Sequence, residues 1–511
     1  MNLAQYLVDN ARRLPDKAAV CFGEESLTWR ELDRRTDNLA AALQALGVRP
    51  GDRVSIMLPN SIAFLVSYWA AIKTGAVASP LNTMYRQDEI SYVLRNAASR
   101  VIIADPEFLP LLDLAWPDAP ELEHLIVAAD TVPFGTHRLA DLVARPAAPV
   151  LVERDPDDLC ALHYTSGTTG RAKGVMITHR NWWVGMMQWH VQVWQLRLDD
   201  RHLVTLPIFH TFGLMMTLVA CATGATLRLL PRWDVEEVAR RIEGERITVF
   251  SGVPTMYVYL TRDIDLERRD LTSLRLAVVG GAPIPVEIQR EFIARTGVVV
   301  VDWYGCTGWA STTSPLWEPA APQRYGSLGK RLPFPEMEMA IVDEDGHAVP
   351  AGTVGELLAR GPSIPPGFWR LPSKTAHDYR GGWFHTGDLA YQDADGFYFL
   401  VDRKDDLIIT AGYNVYPREV EEVLYAMPEV YEAAVVGAPD PVKGEIVKAF
   451  VVLRPGTSTT AEAVIAGCRD RLASFKVPRA VAFVAELPKL ANGKLLRRVL
   501  RDQERAGAAR A

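Results

Sequence analysis

Thr165–Gly174, which reads TSGTTGRAKG, lies between two apolar stretches, Leu159–Tyr164 and Val175–Thr178, that predict β-strands. Its glycines let the backbone turn sharply and point N–H groups at an anion. Four hydroxyl side chains add hydrogen-bond donors, and Lys173 adds a positive charge suited to phosphate. The GxxxxGK[ST] pattern is absent and no helix follows directly, so this is not the Walker type of phosphate loop. The stretch predicts a phosphate cradle in an enzyme that uses ATP to activate a small substrate; the alternative is a flexible surface turn.

The rest of the chain predicts an α/β protein of more than one domain, because 511 residues are too many for one hydrophobic core. Strand-like and helix-like stretches alternate through the first 150 residues and again over residues 226–302, which predicts βα subdomains with largely parallel sheets. After residue 330, short strands separated by DEDG and DADG turns predict a β-barrel-like subdomain or meander. From near Asp402 the pattern predicts a small α+β domain.

Composition excludes several classes of protein. The net charge of -7 argues against nucleic acid as a partner, since phosphate backbones are bound by clustered Lys and Arg. The five cysteines are scattered and lack a CxxC pair, which disfavours disulfides or a zinc site and predicts a cytoplasmic location. The longest apolar stretch, Phe209–Leu227, is broken by His210, Gly213 and Gly224, so a buried helix and strand are expected there and not a membrane span.

Further motifs follow the loop along the chain. They are PIFHTFG at Pro207–Gly213, GGAP at Gly280–Pro283, YGCTG at Tyr304–Gly308, WFHTGD at Trp383–Asp388, DRKDDLIITAGYNVYPRE at Asp402–Glu419 and PKLANGKLLRR at Pro488–Arg498. In order and spacing, the set resembles the adenylate-forming superfamily of acyl-CoA synthetases, peptide-synthetase adenylation domains and firefly luciferase. The resemblance spans most of the chain. It implies a large N-terminal AMP-binding domain, residues 1–402, and a small, mobile C-terminal lid domain, residues 403–511.

The resemblance also implies a reaction in two halves with ATP, Mg²⁺ and CoA. A carboxylate first attacks the α-phosphate of ATP to give an acyl-adenylate and pyrophosphate, and a thiol then displaces AMP. By resemblance, Asp388 accepts hydrogen bonds from the ribose hydroxyls, and Arg403 contacts ribose or phosphate. The implied ATP- and AMP-binding residues are Thr165, Ser166, Gly167, Thr168, Thr169, Lys173, Gly281, Ala282, Tyr304, Gly305, Thr307, Asp388, Arg403 and Lys494.

Catalysis is expected of Lys494, His210 and Thr307. Lys494 would bridge the carboxylate and the α-phosphate, where a cation stabilises charge that develops in the transition state. Asp405 matches the family hinge, about which the lid would turn to bring Gly412 towards a thiol tunnel. The predicted acyl-pocket residues are Trp189, His210, Phe212, Trp309 and Ala310, whose bulk favours a medium-chain or aromatic acid.

The chain departs from the family at two positions. Ala172 replaces the usual Pro of the loop, and Gly308 replaces the usual Glu after Thr307, which normally helps to hold Mg²⁺. Thr168 remains as a candidate metal ligand. Because of Gly308, activation of an acid or of nitrite for a non-thiol acceptor such as an amine stays open, as does a binding protein that has lost the chemistry. The other expectations are a small-molecule acid as substrate and, as one option for assembly, a homodimer.

Overall fold

The structure, a computed structural model, describes residues 1–165, 171–307, 309–310, 324–490 and 493–508. Helices and strands alternate through most of this part of the chain. The strands are β1 (Ala18–Phe22), β2 (Glu25–Thr28), β3 (Arg53–Met57), β4 (Val77–Pro80), β5 (Ser99–Ala104), β6 (His124–Val127), β7 (His137–Arg138), β8 (Leu159–Thr165), β9 (Lys173–Thr178), β10 (Arg201–Val204), β11 (Thr226–Leu229), β12 (Val249–Gly252), β13 (Leu276–Gly280), β14 (Val299–Trp303), β15 (Gly305–Cys306), β16 (Trp309–Ala310), β17 (Glu338–Val342), β18 (Gly355–Arg360), β19 (Gly367–Phe368), β20 (Phe384–Gln392), β21 (Tyr398–Arg403), β22 (Ile408–Thr410), β23 (Tyr413–Val415), β24 (Val430–Asp440), β25 (Gly444–Leu453) and β26 (Ala480–Phe483).

Most helices connect consecutive strands. They are α1 (Gln5–Arg13), α2 (Trp29–Ala45), α3 (Ile62–Lys73), α4 (Gln87–Ala97), α5 (Leu109–Ala115), α6 (Leu139–Ala144), α7 (His179–Trp182), α8 (Val191–Val193), α9 (Thr211–Thr223), α10 (Val235–Glu245), α11 (Pro254–Arg262), α12 (Val286–Thr296), α13 (Pro372–Asp378), α14 (Pro417–Tyr425), α15 (Ala461–Arg469) and α16 (Arg497–Ala508). A π-helical segment, Trp183–His190, joins α7 to α8.

Two large sheets form the body of the protein. The first has eight strands in the order β19-β9-β8-β4-β3-β5-β6-β7, parallel from β8 to β7. The second has seven strands in the order β14-β13-β12-β10-β11-β1-β2, parallel except for β2 at one edge. The strands β4, β12 and β13 are short, largely apolar runs with every side chain buried, as expected for strands covered on both faces. The parallel βα architecture predicted for the body is therefore confirmed.

The predicted β-rich region is a four-stranded antiparallel sheet in the order β17-β18-β20-β21. It is an open sheet with β17 and β21 at its edges, and the described residues contain no closed barrel. Closure would need these two strands to pair, but Tyr398 of β21 instead pairs with Gly329. That region, the lid, packs α14 and α15 on a mixed sheet of β22 to β26. The boundary expected at residues 402 and 403 falls within β21 and stays a prediction.

The apolar stretch Phe209–Leu227 forms the buried helix α9 and the strand β11, as expected. Gly224 ends the helix in the left-handed conformation, with φ of 73°. No helix in the described ranges is both long and apolar enough to cross a membrane.

Candidate active site

The phosphate loop is the tip of an antiparallel hairpin. Strands β8 and β9 pair from Leu159 and Thr178 up to Thr165 and Lys173, so the last two residues face each other across the ladder. Both predicted strands exist, and β9 begins two residues earlier than expected. The predicted ligands Ser166, Gly167, Thr168 and Thr169 lie outside the described residues. The hairpin fixes the backbone at both ends of the loop and so fixes where Lys173 enters it.

Asp388 is the central carboxylate of the site. It is buried in β20 opposite Arg403 of β21, whose Nε lies 3.3 Å from its Oδ1. The hydroxyl of Tyr304 donates to Asp388 Oδ2 at 2.6 Å. Burial raises the pKa of Asp388, while the charge of Arg403 and the bond from Tyr304 oppose that rise. The register of β20 and β21 and the hydrogen bond from Tyr304 thus bring together three residues that the sequence assigns to the nucleotide.

Lys494 reaches this group from the lid. Its carbonyl accepts a hydrogen bond from Leu490 N at 2.8 Å, which closes a short hairpin in front of α16. Burial, followed by the positive charge of Arg403, lowers the pKa of Lys494, and the carboxylate of Asp388 acts in the opposite direction. The Lys494 ammonium therefore lies within electrostatic range of both residues, although it is distant from them in sequence.

His210 caps the N-terminus of α9. Its Nδ1 accepts a hydrogen bond from Phe212 N at 3.3 Å, which satisfies one of the free backbone donors of the first turn. Burial, and then the charge of Lys494, lowers the pKa of His210 to about 4, so the ring is neutral at pH 7. A neutral ring can line a pocket for an anion without forming a salt bridge to it.

Aromatic side chains pack around the predicted acyl pocket. Trp189 stacks on Phe334 with ring centres 4.8 Å apart, and Phe212 packs on Trp303 at 5.2 Å. Trp309 is fully buried with its ring edge-on to Tyr304 at 5.9 Å.

Pairing of two short strands, β15 and β16, holds the backbone next to these rings. Ala310 pairs with Gly305 across β15 and β16, and Thr307 lies in the turn that joins those strands. The sequence analysis does not identify Trp303. Its position directly before Tyr304, at the end of a strand, could have indicated that it lies at the site.

The GGAP loop follows β13 at the carboxyl end of the parallel sheet, where ligands of open α/β sheets bind. Gly281 has φ of 83°, and Ala282 follows it. A Cβ at Gly280 would lie 3.1 Å from the Phe212 ring, so a glycine allows the close approach of that ring. The loop is held at its far end by Asp302, whose Oδ2 lies 3.4 Å from Ile284 N. The sequence analysis does not identify Asp302 either, although a charged residue in the apolar run Val298–Asp302 could have indicated it.

The predicted hinge and thiol-tunnel residues lie on the lid side. Asp405 is in the turn Lys404–Asp406 after β21, and its carbonyl accepts from Arg501 Nη1 at 2.9 Å. Ala411 and Gly412, with φ of 48° and 82°, form the two-residue turn between β22 and β23. Gly412 is exposed here while Lys494 is in the site, so the structure presents one of the two lid arrangements that the resemblance implies.

The described part of the site offers little to a metal ion. Both oxygens of Asp388 are engaged, by Tyr304 and by Arg403. Thr168 and Gly308, the positions that the sequence links to Mg²⁺, lie outside the described residues. Because the Arg403 guanidinium would repel a cation but not a neutral hydroxyl, the Asp388 carboxylate fits ribose hydroxyls better than a metal.

Comparison with known proteins defines the class. The family model for AMP-binding enzymes matches residues 7–369, and the model for the AMP-binding enzyme C-terminal domain matches residues 419–494. The chain belongs to the family of AMP-binding enzymes.

Similar proteins cover the whole chain. A long-chain-fatty-acid–CoA ligase from Bacillus subtilis is 35% identical over 98% of this chain and 94% of its own length. A feruloyl-CoA synthase from Amycolatopsis is 38% identical over 97% of each chain. The crystal structure of the anthranilate CoA ligase AuaEII with anthranoyl-AMP has a TM-score of 0.94 at 32% identity, over 100% of this chain and 98% of that one. The resemblance seen in the motifs is confirmed.

Proposed function

We propose that the protein is an ATP-dependent, AMP-forming acid–CoA ligase for a medium-chain or aromatic carboxylic acid. The observation that carries the proposal is the position of Lys494. The charges of Asp388 and of the half-exposed Arg403 act on this lid cation, and the cation in turn acts on the neutral ring of His210.

In the first half-reaction, a carboxylate oxygen of the acid bonds to the α-phosphorus of ATP and the bond to the β-phosphate oxygen breaks. Lys494 stabilises the negative charge that develops on the oxygens around the α-phosphorus. The loop between Thr165 and Lys173 holds the leaving pyrophosphate, and Thr307 reaches the α-phosphate. Asp388, held by Tyr304, accepts hydrogen bonds from the ribose hydroxyls and orients the nucleotide.

In the second half-reaction, the sulfur of CoA, having lost its proton, bonds to the acyl carbon and AMP leaves with its oxygen. Lys494 must leave the site for this step, since the same lid carries Gly412. A turn of the lid at Asp405 would take Lys494 out of the site and bring Gly412 to it, so that the two half-reactions occur one after the other.

The packed rings support the substrate class. Phe212 on Trp303 and Trp189 on Phe334 give flat apolar surfaces that suit an aromatic or medium-chain acyl group. Mg²⁺, when bound, neutralises phosphate charge. Because Gly308 supplies no carboxylate, the phosphate oxygens and water would be its main ligands. We place the enzyme in the cytoplasm, where its five free cysteines stay reduced.

Two assays with the wild-type protein test the proposal. The first is acid-dependent exchange of pyrophosphate into ATP with aryl, cinnamyl and fatty acids of increasing length. The second is release of AMP with CoA or with an amine as acceptor. We expect exchange with aryl or medium-chain acids and CoA-dependent AMP release. Exchange only with long-chain acids would refute the substrate class, and AMP release that needs an amine would refute the thiol acceptor.

A further inference from the structure

The hairpin that carries Lys494 begins at Lys489, which pairs with Leu495 across an isolated bridge. Both ends of the hairpin lie on one helix of the body, α11. At the tip, Thr255 Oγ1 donates to the carbonyl of Gly493 at 3.2 Å. A Cβ at Gly493 would lie 2.9 Å from Val253 Cγ2, so this approach requires a glycine.

At the base of the hairpin, Lys489 Nζ makes two hydrogen bonds of 2.8 Å. One goes to Tyr259 Oη on the body and the other to Glu432 Oε2 on the lid. The Glu432 side chain is only 3% exposed. Although burial opposes the charge of Lys489, its hydrogen bonds to Glu432 and Tyr259 raise its pKa, so the ammonium is charged near neutral pH. Tyr259 is the one body residue in this trio, and its hydroxyl also donates to Glu432 Oε1 on the lid at 3.4 Å.

Thr255 and Tyr259 are four residues apart on α11, so they lie on the same face of the helix. Arg262 continues that face by one turn and donates to the lid carbonyls of Val430 at 2.9 Å and Tyr431 at 3.0 Å. The rings of Tyr431 and Tyr259 stack with centres 5.8 Å apart. One helical face thus contacts the lid at three successive points.

We infer that the docking face of α11, defined by Thr255, Tyr259 and Arg262, positions Lys494 for the first half-reaction by holding both ends of its hairpin. Tyr259 is a positioning residue that acts through Lys489 and makes no contact with the reacting atoms. The inference rests on the proposed two-step function. When the lid turns for the second half-reaction, this face and the Lys489 ammonium separate.

The direct test removes single atoms from the contact. Tyr259→Phe deletes the hydroxyl and keeps the ring that stacks on Tyr431, and Lys489→Met deletes the charge and keeps the chain length. The matched control is Lys448→Met: Lys448 is also 21% exposed and pairs with Glu504 at 2.7 Å, but both members of that pair belong to the lid.

We expect Tyr259→Phe to lower kcat for pyrophosphate exchange about ten-fold, the effect of losing a charge-assisted hydrogen bond between body and lid. Lys489→Met should lower it further, because it removes two hydrogen bonds and leaves the buried Glu432 carboxylate without the ammonium. The KM values for ATP and acid should change little, because neither residue touches them. Thioester formation from a supplied acyl-adenylate and CoA should persist at the wild-type rate or faster, and Lys448→Met should match the wild type in both assays. Equal losses in the two half-reactions, or no loss of exchange, would overturn the inference.

A second readout separates this inference from the proposed function. Spin labels on non-natural residues at Arg268, on the body, and Glu462, on the lid, report the distance between the two parts without any turnover. Tyr259→Phe should broaden the distance distribution and shift it away from the wild-type maximum, and an unchanged distribution would overturn the docking role. Wild-type exchange without CoA-dependent thioester formation would instead refute the proposed acceptor and leave the docking result standing.

Discussion

The ionisation of Asp302 should make the free energy of unfolding depend on pH, and the size of the effect follows from the surroundings of this carboxylate. The carboxylate is buried at the end of β14 beside the GGAP loop, and Arg418 and Glu422 of the lid helix α14 face it. Burial raises its pKa from 3.8 to about 7, Arg418 opposes the rise, and Glu422 adds to it. The folded state therefore holds this proton more tightly than the unfolded chain does. The resulting stabilisation is complete below about pH 4 and is lost as the pH rises through 7.

Replacing Asp302 by Asn removes the titration and keeps the size of the side chain. A pKa change from 3.8 to about 7 corresponds to roughly 4 kcal/mol in total, of which about 3 kcal/mol falls between pH 5 and pH 8. We expect the free energy of unfolding of Asp302→Asn, relative to the wild type, to rise by about that amount between these pH values.

Urea titrations of the two proteins at pH 5 and pH 8 measure this difference. Asp113→Asn, at an exposed position of α5, is the control and should show a constant difference from the wild type. If the Asp302→Asn difference is also constant with pH, the carboxylate does not titrate in this range and the reasoning from its burial is refuted.

Three further predictions concern the two half-reactions. Lys494→Ala should lower pyrophosphate exchange at least 100-fold, as expected for loss of a transition-state charge partner, while thioester formation from a supplied acyl-adenylate largely survives; unchanged exchange would remove Lys494 from the mechanism. Asp405→Pro restricts the backbone at the hinge, so exchange should be kept and thioester formation from the same adenylate should fall by about ten-fold or more; equal loss in both assays would contradict a hinge. Gly308→Glu restores a carboxylate, so the Mg²⁺ concentration that gives half-maximal exchange should fall; an unchanged Mg²⁺ titration would show that position 308 does not influence the metal.

The sequence predicts the parts of this site whose signals are local. A glycine-rich stretch between two apolar runs predicts the hairpin of β8 and β9, because strands and turns depend on neighbouring residues. The residue motifs also place Asp388 and Arg403, which the register of β20 and β21 then brings face to face. The open edges of the β17–β21 sheet were not predictable, since alternating polarity marks strands but does not say which of them pair.

The contacts between α11 and the lid could not be predicted from the sequence. Tyr259, Glu432 and Lys489 are separated by more than fifty residues at each step, and none lies in a pattern that indicates its partners. Their arrangement depends on how the lid packs on the body, so only the three-dimensional structure shows it. Asp302 is an intermediate case, because its place in an apolar strand marks it as unusual but does not reveal Arg418.

The eight-stranded sheet ends in two-residue strands, β19 at one edge and β7 at the other. Strands this short offer few N–H and C=O groups on which a strand of another chain could add. The edge nearest the phosphate loop is the one covered by β19, which pairs with β9 through Gly367 and Phe368. Both edge strands belong to the body, so a lid that turns at Asp405 would leave these short edges as they are.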